Sequence, residues 1–193
     1  MPRSFVTYNT IEFENQALTS LQELFGSENV ERPWDVAKNS RDDFTRELYC
    51  PEIDLAVGPF NVNRDGDGGV AIKQTFLRSR ALIEKLLSVS HNPVGNFEEF
   101  LGKANPNPRC FMAVEVEKSG TRKHMLGDMV NASIIGMIGI VIPLKEGILR
   151  GFKGIKKYLE FATRVEKSKY SFDNVLIVGG NDFLDALEQA TRE

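Results

Sequence analysis

The sequence predicts an α/β fold, a central β-sheet flanked by helices, formed as a single domain over residues 1–193. Three observations predict it. Arg109–Pro143 holds two apolar runs, Cys110–Val116 and Ile138–Ile142, on either side of a helical pattern at Arg122–Gly136. This is strand, helix, strand, a crossover unit that belongs in a sheet packed by helices. In Pro51–Phe60, Ile53, Leu55 and Val57 alternate with Asp54 and Ala56, the period of a strand. Helical periodicity recurs at Ile11–Phe25, Thr75–Val89 and Ile148–Val165.

In chain order, the first helix places apolar residues at 11, 13, 17, 18, 21, 24 and 25, with Asn9 or Thr10 to cap it and Gly26 to close it. Ser27–Asp43 reads mostly as loop and Phe44–Tyr49 as a short strand. After the strand at Pro51–Phe60, Asn61–Gly69 is turn-rich and Val70–Ile72 reads as another short strand. Asn63–Gly68 resembles the opening of an EF-hand loop, but Gln74 stands at the twelfth position and a strand precedes it, so a polar turn is expected. In Thr75–Val89, Phe76, Leu77, Leu82, Ile83, Leu86 and Leu87 point inward. A short helix at Asn96–Lys103 follows, and residues 61–108 form an insertion relative to the central sheet. Asn174–Val178 is a buried strand and Asn181–Thr191 a closing helix.

The 193 residues suffice for one medium domain with a real core. A net charge of −3 gives no bulk attraction to nucleic acid or anionic membrane, so any basic surface is local. Cys50 and Cys110 read as buried thiols in a reducing, cytoplasmic setting. With His91 and His124 alone and no CxxC, a zinc site is not indicated. Met1–Tyr8 lacks the apolar core of a signal peptide, and Met129–Leu144 reads as a buried helix and strand, so no membrane contact is expected. Walker A, GxSxG and Rossmann glycine patterns are absent.

The unusual feature is Glu115-Val116-Glu117. Alternation puts both carboxylates on one face of an otherwise apolar strand, roughly 6–7 Å apart. Such acids are costly unless a divalent cation or a pair of basic side chains compensates them. Asp54 also alternates with apolar neighbours. If its strand pairs with the strand at 110–117, Asp54, Glu115 and Glu117 converge. Three clustered carboxylates repel one another, and Mg²⁺ or Mn²⁺ would remove the conflict while accepting phosphate oxygens.

The order helix, strand with Asp54, strand with Glu115-Val116-Glu117, helix, strand resembles the core of the PD-(D/E)xK nucleases, the restriction-endonuclease-like superfamily. Pro51-Glu52-Ile53-Asp54 resembles the first half of the motif and Glu115-Val116-Glu117 the second. The resemblance covers Ile11–Ile142 without the insertion. It implies a mixed-sheet fold, a metal held by Asp54 and Glu115, and hydrolysis of DNA. Glu117 stands where the family usually has Lys. Lys118 is adjacent but out of phase unless a bulge brings it back. Otherwise a second metal at Glu117, or a residue from the next helix, takes that role. Glu14 matches an accessory acid of the family, the other reading being a solvated helix residue.

His124, Asp128 and Asn131 share one face of the helix after the triplet, and Lys123 or His124 could contact a phosphate there; Met125, Met129, Val130 and Ile134 suit the core. Arg150, Lys153 and Lys157 form a basic face suited to a phosphate backbone. The expected activity is a metal-dependent DNA endonuclease. The alternatives are a non-catalytic nucleic-acid-binding or assembly module of the same fold, and a hydrolase of another phosphate ester. A homodimer would suit palindromic cleavage, although nothing in the sequence requires one.

Overall fold

The computed structural model describes residues 9–36, 51–61, 68–92, 94–168 and 170–192. Helix α1 (Thr10–Phe25) opens with a capping box in which Asn9 and Glu12 each accept from the other's end of the turn. Short strands β1 (Val30–Glu31) and β2 (Trp34–Asp35) follow. Next come β3 (Glu52–Ile53) and β4 (Leu55–Val57). Helices α2 (Gly68–Arg78), α3 (Arg80–Val89) and α4 (Phe97–Leu101) lead to β5 (Cys110–Glu117). The chain ends with α5 (Arg122–Ile135), β6 (Gly136–Pro143), α6 (Glu146–Arg164), β7 (Val175–Ile177) and α7 (Gly180–Thr191).

The central sheet is mixed, in the order β1-β4-β5-β6-β7. β4 is antiparallel to β1 and β5, whereas β5, β6 and β7 run parallel. β2 and β3 form a separate antiparallel pair. Alternate residues of β6 divide the core. Ile138, Ile140 and Ile142 pack with Phe13, Phe76, Ile83 and Phe183 of α1, α2, α3 and α7. Val141 packs with Met125, Met129 and Phe152 of α5 and α6 on the opposite face. A Cβ at Gly139 would lie 2.8 Å from the Ala132 carbonyl carbon, so a glycine lets α5 sit close on the sheet. The open edge of β7 is covered by side-chain and backbone bonds from the chain after α3. Ile177 N–H donates to Asn92 Oδ1 at 2.7 Å, Asn92 Nδ2 to the Val175 carbonyl at 2.9 Å, and His91 N–H to the Ile177 carbonyl at 2.8 Å.

Several expectations need correction. Val70–Ile72 is not a strand but part of α2. Ile72 and Phe76, one turn apart, are both fully buried, while Val70 is 61% and Leu77 47% exposed. The helix expected over Thr75–Val89 is two helices, interrupted at Ser79. Ile11 and Ile134, expected inward, are exposed because they lie on the outer side of turns that bury Phe13 and Ser133 with Ile135. β1 and β2 fall within the stretch read as loop. The expected strand at Phe44–Tyr49, Cys50 and the start of the EF-hand-like turn, Asn63–Asp67, lie outside the described residues. Cys110 is a buried free thiol whose ionisation burial strongly opposes. No helix among the described residues is long and apolar enough to cross a membrane.

The insertion helices complete the core beneath the sheet. Phe76 is fully buried, with ring centroids 5.3 Å from Phe97, 6.2 Å from Phe100 and 6.5 Å from Phe111. Phe76→Ala is expected to lower the unfolding free energy by about 3–5 kcal/mol, read from urea denaturation midpoints.

Candidate functional site

The pairing of β4 with β5 assembles the site. Leu55 lies opposite Val114 in an antiparallel register, so the preceding residue, Asp54, comes opposite Glu115. Asp54 is also the point at which the chain leaves the β2–β3 pair for the central sheet. The two residues then clasp each other. Val116 N–H donates to Asp54 Oδ2 at 2.8 Å, and Asp54 N–H donates to Glu115 Oε2 at 3.4 Å. Glu115 is 4% exposed.

Two carboxyl groups this close and this buried cannot both ionise freely. Burial first, then the charges of Asp54 and Asp128, push the Glu115 carboxyl up to about 9. Burial also raises Asp54, with further repulsion from Glu14 and Glu117 against the stabilising Val116 N–H bond. Glu115 therefore keeps its proton at neutral pH. Asp128, half-buried on α5, is raised to about 7 by burial and then by Glu117 and Asp54. Five acids, Glu14 on α1, Asp54 just before β4, Glu115 and Glu117 on β5 and Asp128 on α5, thus share one electrostatic neighbourhood. Among the described residues, none of Asp54, Glu115, Glu117 or Asp128 forms an ion pair with Lys, Arg or His.

Glu117 has a different local task. Its Oε1 accepts from the N–H groups of Ser119 and Gly120, both at 2.7 Å, closing the turn between β5 and α5. A Cβ at Gly120 would lie 1.9 Å from Glu117 Oε2, so the fold-back of this carboxylate requires glycine there. Lys118 is half-buried in the bend that follows. β5 and β6 pair without interruption from Met112 to Glu117, so no bulge returns Lys118 to the carboxylate face. Glu14 is not a solvated helix residue. Its side chain is 13% exposed and its Oε2 pairs with Arg32 Nη2 at 2.5 Å.

Lys123 and His124 are exposed on the first turn of α5. Arg150, Lys153 and Lys157 are exposed on α6. Lys153 sits toward the β7 edge near His91, whose pKa is lowered first by burial and then by the Lys153 charge. That is three strands from β4, roughly 14 Å at the usual strand spacing, so α6 and the carboxylates are not brought together at Lys153. Lys156, within the same basic run, is 4% exposed and structural. Its Nζ donates to the Phe172 carbonyl at 2.8 Å and pairs with Asp173 at 3.2 Å.

The donor chemistry suits a hard dication: buried carboxylate oxygens with no described basic partner. Mg²⁺ needs one or two protein carboxylates, completing its shell with water and substrate oxygens, and Asp54 with Glu115 is such a pair. Among the described residues, no group of three or more His, Cys, Asp or Glu side chains is arranged to hold a metal. A carboxylate pair, rather than the expected triad with Glu117, is what the described residues assemble. Sequence periodicity placed Asp128 on the helix face bordering this pair but gave no indication of its depth or of its coupling to Asp54.

No protein-family model, curated protein or solved structure matches the chain.

Proposed function

We propose that this chain is a metal-dependent phosphodiester hydrolase acting on DNA, an endonuclease of the PD-(D/E)xK type. The observation that carries the proposal is the buried Asp54–Glu115 carboxyl pair, clasped across β4 and β5. The element order supports it: α1 with Glu14, Asp54 before β4, Glu115 on β5, then α5 and β6. Asp54 and Glu115 would hold Mg²⁺ or Mn²⁺. When bound, the ion would orient and acidify the attacking water and shield the charge gathering on the phosphorus. Asp54 is pre-oriented by the Val116 N–H. Glu115 must release its proton to ligate, which places metal binding in competition with protonation. Asp128, poised at about 7, is suited to take a proton from the attacking water in place of the missing motif lysine. Lys123, Arg150 and Lys157 offer phosphate contacts.

A second reading keeps the fold and the nucleic acid but not the cleavage: a non-catalytic binding or assembly module. The observation favouring it is Glu117 at the lysine position, with Lys118 held away from the pair. Cleavage of plasmid and single-stranded DNA with Mg²⁺ or Mn²⁺ separates the readings. Metal-dependent nicking by wild type that Glu115→Ala abolishes supports the nuclease. No cleavage, or equal cleavage by both, refutes it. The double variant Lys123→Glu/Lys157→Glu is expected to weaken DNA binding by at least about tenfold and to flatten its salt dependence, measured by fluorescence anisotropy.

A further inference from the structure

Basic and aromatic side chains alternate on the outward face of α6. Ile148, Leu149, Phe152, Ile155 and Leu159 face the core. On the other side, Arg150, Lys157 and Arg164 recur every seven residues, at steps of about 10.5 Å along the axis. All three are exposed, and among the described residues none forms an ion pair. About 60° further round the helix, Gly147, Gly154 and Phe161 repeat at the same interval, and Tyr158 lies one such step beyond Phe161. Tyr158 is 61% and Phe161 51% exposed. Their positions differ by about 4.5 Å along the axis. The Arg164 guanidinium lies 5.8 Å from the centre of the Phe161 ring, so the line of cations touches the line of rings.

Toward the start of α6 this face opens into a groove of about 720 Å³ between α5 and α6, lined by Arg122, Leu126, Arg150 and Tyr158. That is room for a ligand of nucleotide size. Three glycines of α6 also line it. Gly151 is accounted for by helix packing, since a Cβ there would lie 2.6 Å from Met125 Sδ. A Cβ at Gly147 or Gly154 would meet no atom within 4 Å, so these two keep the groove open.

Charge selects the occupant. A second copy of this face would bring its cations against cations, whereas a polyanion meets them with opposite charge. The acids nearby are Glu146, in the first turn, and Glu160, which pairs with Lys156 at 3.4 Å. The rings select the form of the polyanion. In a duplex the faces of the bases are stacked on one another, whereas unpaired bases offer theirs to an aromatic side chain.

We infer that the outer face of α6 binds a single strand of DNA. Its phosphates follow Arg150, Lys157 and Arg164, and its bases stack on Tyr158 and Phe161 and enter the groove beside Arg122. The choice of DNA rests on the reading proposed above, but the binding needs no cleavage. The face also leads toward the carboxylates. Leu126 and Asp128 are about 200° apart round α5, so the groove and the acids lie on opposite flanks of that helix. Lys123 is exposed on the outward side between them. A strand leaving the groove crosses the roughly 10 Å width of α5 at Lys123 to reach Asp54 and Glu115.

Fluorescence anisotropy of the full chain in EDTA tests the inference. The probe is a labelled oligothymidylate of about 12 nucleotides, alone or paired with oligodeoxyadenylate. The single strand is expected to bind at least about tenfold more tightly than the duplex. Tyr158→Ala/Phe161→Ala alters two exposed positions. It is expected to keep its circular dichroism, to weaken binding of the strand by at least about tenfold and to change binding of the duplex by less than about twofold. Arg150→Ala/Arg164→Ala is expected to lower the slope of log K against log salt by about 1.4. Equal affinity for strand and duplex, an alanine variant that binds the strand as wild type does, or self-association of the free chain through these rings in sedimentation would each overturn the proposal. Without metal the two readings separate. A chain that binds the strand in this way but never cuts refutes the nuclease alone, and one that cuts without preferring the strand refutes this inference alone.

Discussion

Replacing Glu115 by Gln is expected to stabilise the metal-free protein at pH 8–9, and by progressively less as the pH falls toward 4. The Glu115 carboxyl is raised from 4.5 to about 9 in the fold. A raised acid binds its proton more tightly folded than unfolded. Its contribution to stability is therefore full below the unfolded pKa near 4.5 and is lost as pH rises toward 9. Wild type gives up stability across that window, because the unfolded chain ionises Glu115 freely and the folded chain resists. Gln carries no proton to lose. It keeps an oxygen for the Asp54 N–H and adds an amide donor toward the Asp54 carboxylate, so the clasp survives the change. The expected gain at pH 8.5 is on the order of a few kcal/mol. Urea midpoints of both proteins at pH 4, 6 and 8.5, without divalent cations, measure it. Parallel profiles would contradict the burial and charge assigned to Glu115.

Asp54→Asn is expected to reduce metal-dependent DNA cleavage by more than about 100-fold, since loss of groups that merely support a ligand already costs about 10–100-fold. The variant preserves the shape of the clasp, because an amide oxygen still accepts from Val116 N–H. It removes the charge that a dication would meet. Near-normal folding, read from circular dichroism, should therefore accompany the loss. A fold-independent loss of this size assigns Asp54 to metal binding, whereas unchanged cleavage would place the chemistry elsewhere.

Much of this site was legible in the sequence because strand alternation is a strict rule. The apolar runs of β5 and β6 are buried along nearly their whole length, and their parity fixed the face of Glu115. Leu55 and Val57 alternate with Ala56 and so fixed that of Asp54, whereas Ile53 belongs to the β2–β3 pair and packs with Ala56 instead; the register of β4 on β5 supplied the pair. Short segments carried no such signal. Three residues at Val70–Ile72 fit a strand and a helix equally well, and the four-residue step from Ile72 to Phe76 decided for a helix. β1 to β3 are two residues each, too short for a period. Charge alone also misled. Lys156 stands within the basic run of the sequence yet is buried on the Phe172 carbonyl, and Glu117 reads as a ligand yet caps a turn through two backbone N–H groups.

The account rests on Asp54 and Glu115 as a dication site, and calorimetric titration of Mn²⁺ into the metal-free protein tests this most directly. Wild type should bind near pH 7.5 with release of close to one proton, seen as a heat that varies with the ionisation enthalpy of the buffer. Asp54→Asn should bind at least about 100-fold more weakly. Glu115→Gln should lose the proton release along with most of its affinity. No saturable heat with wild type, or equal binding by all three proteins, would contradict a metal centre at this pair.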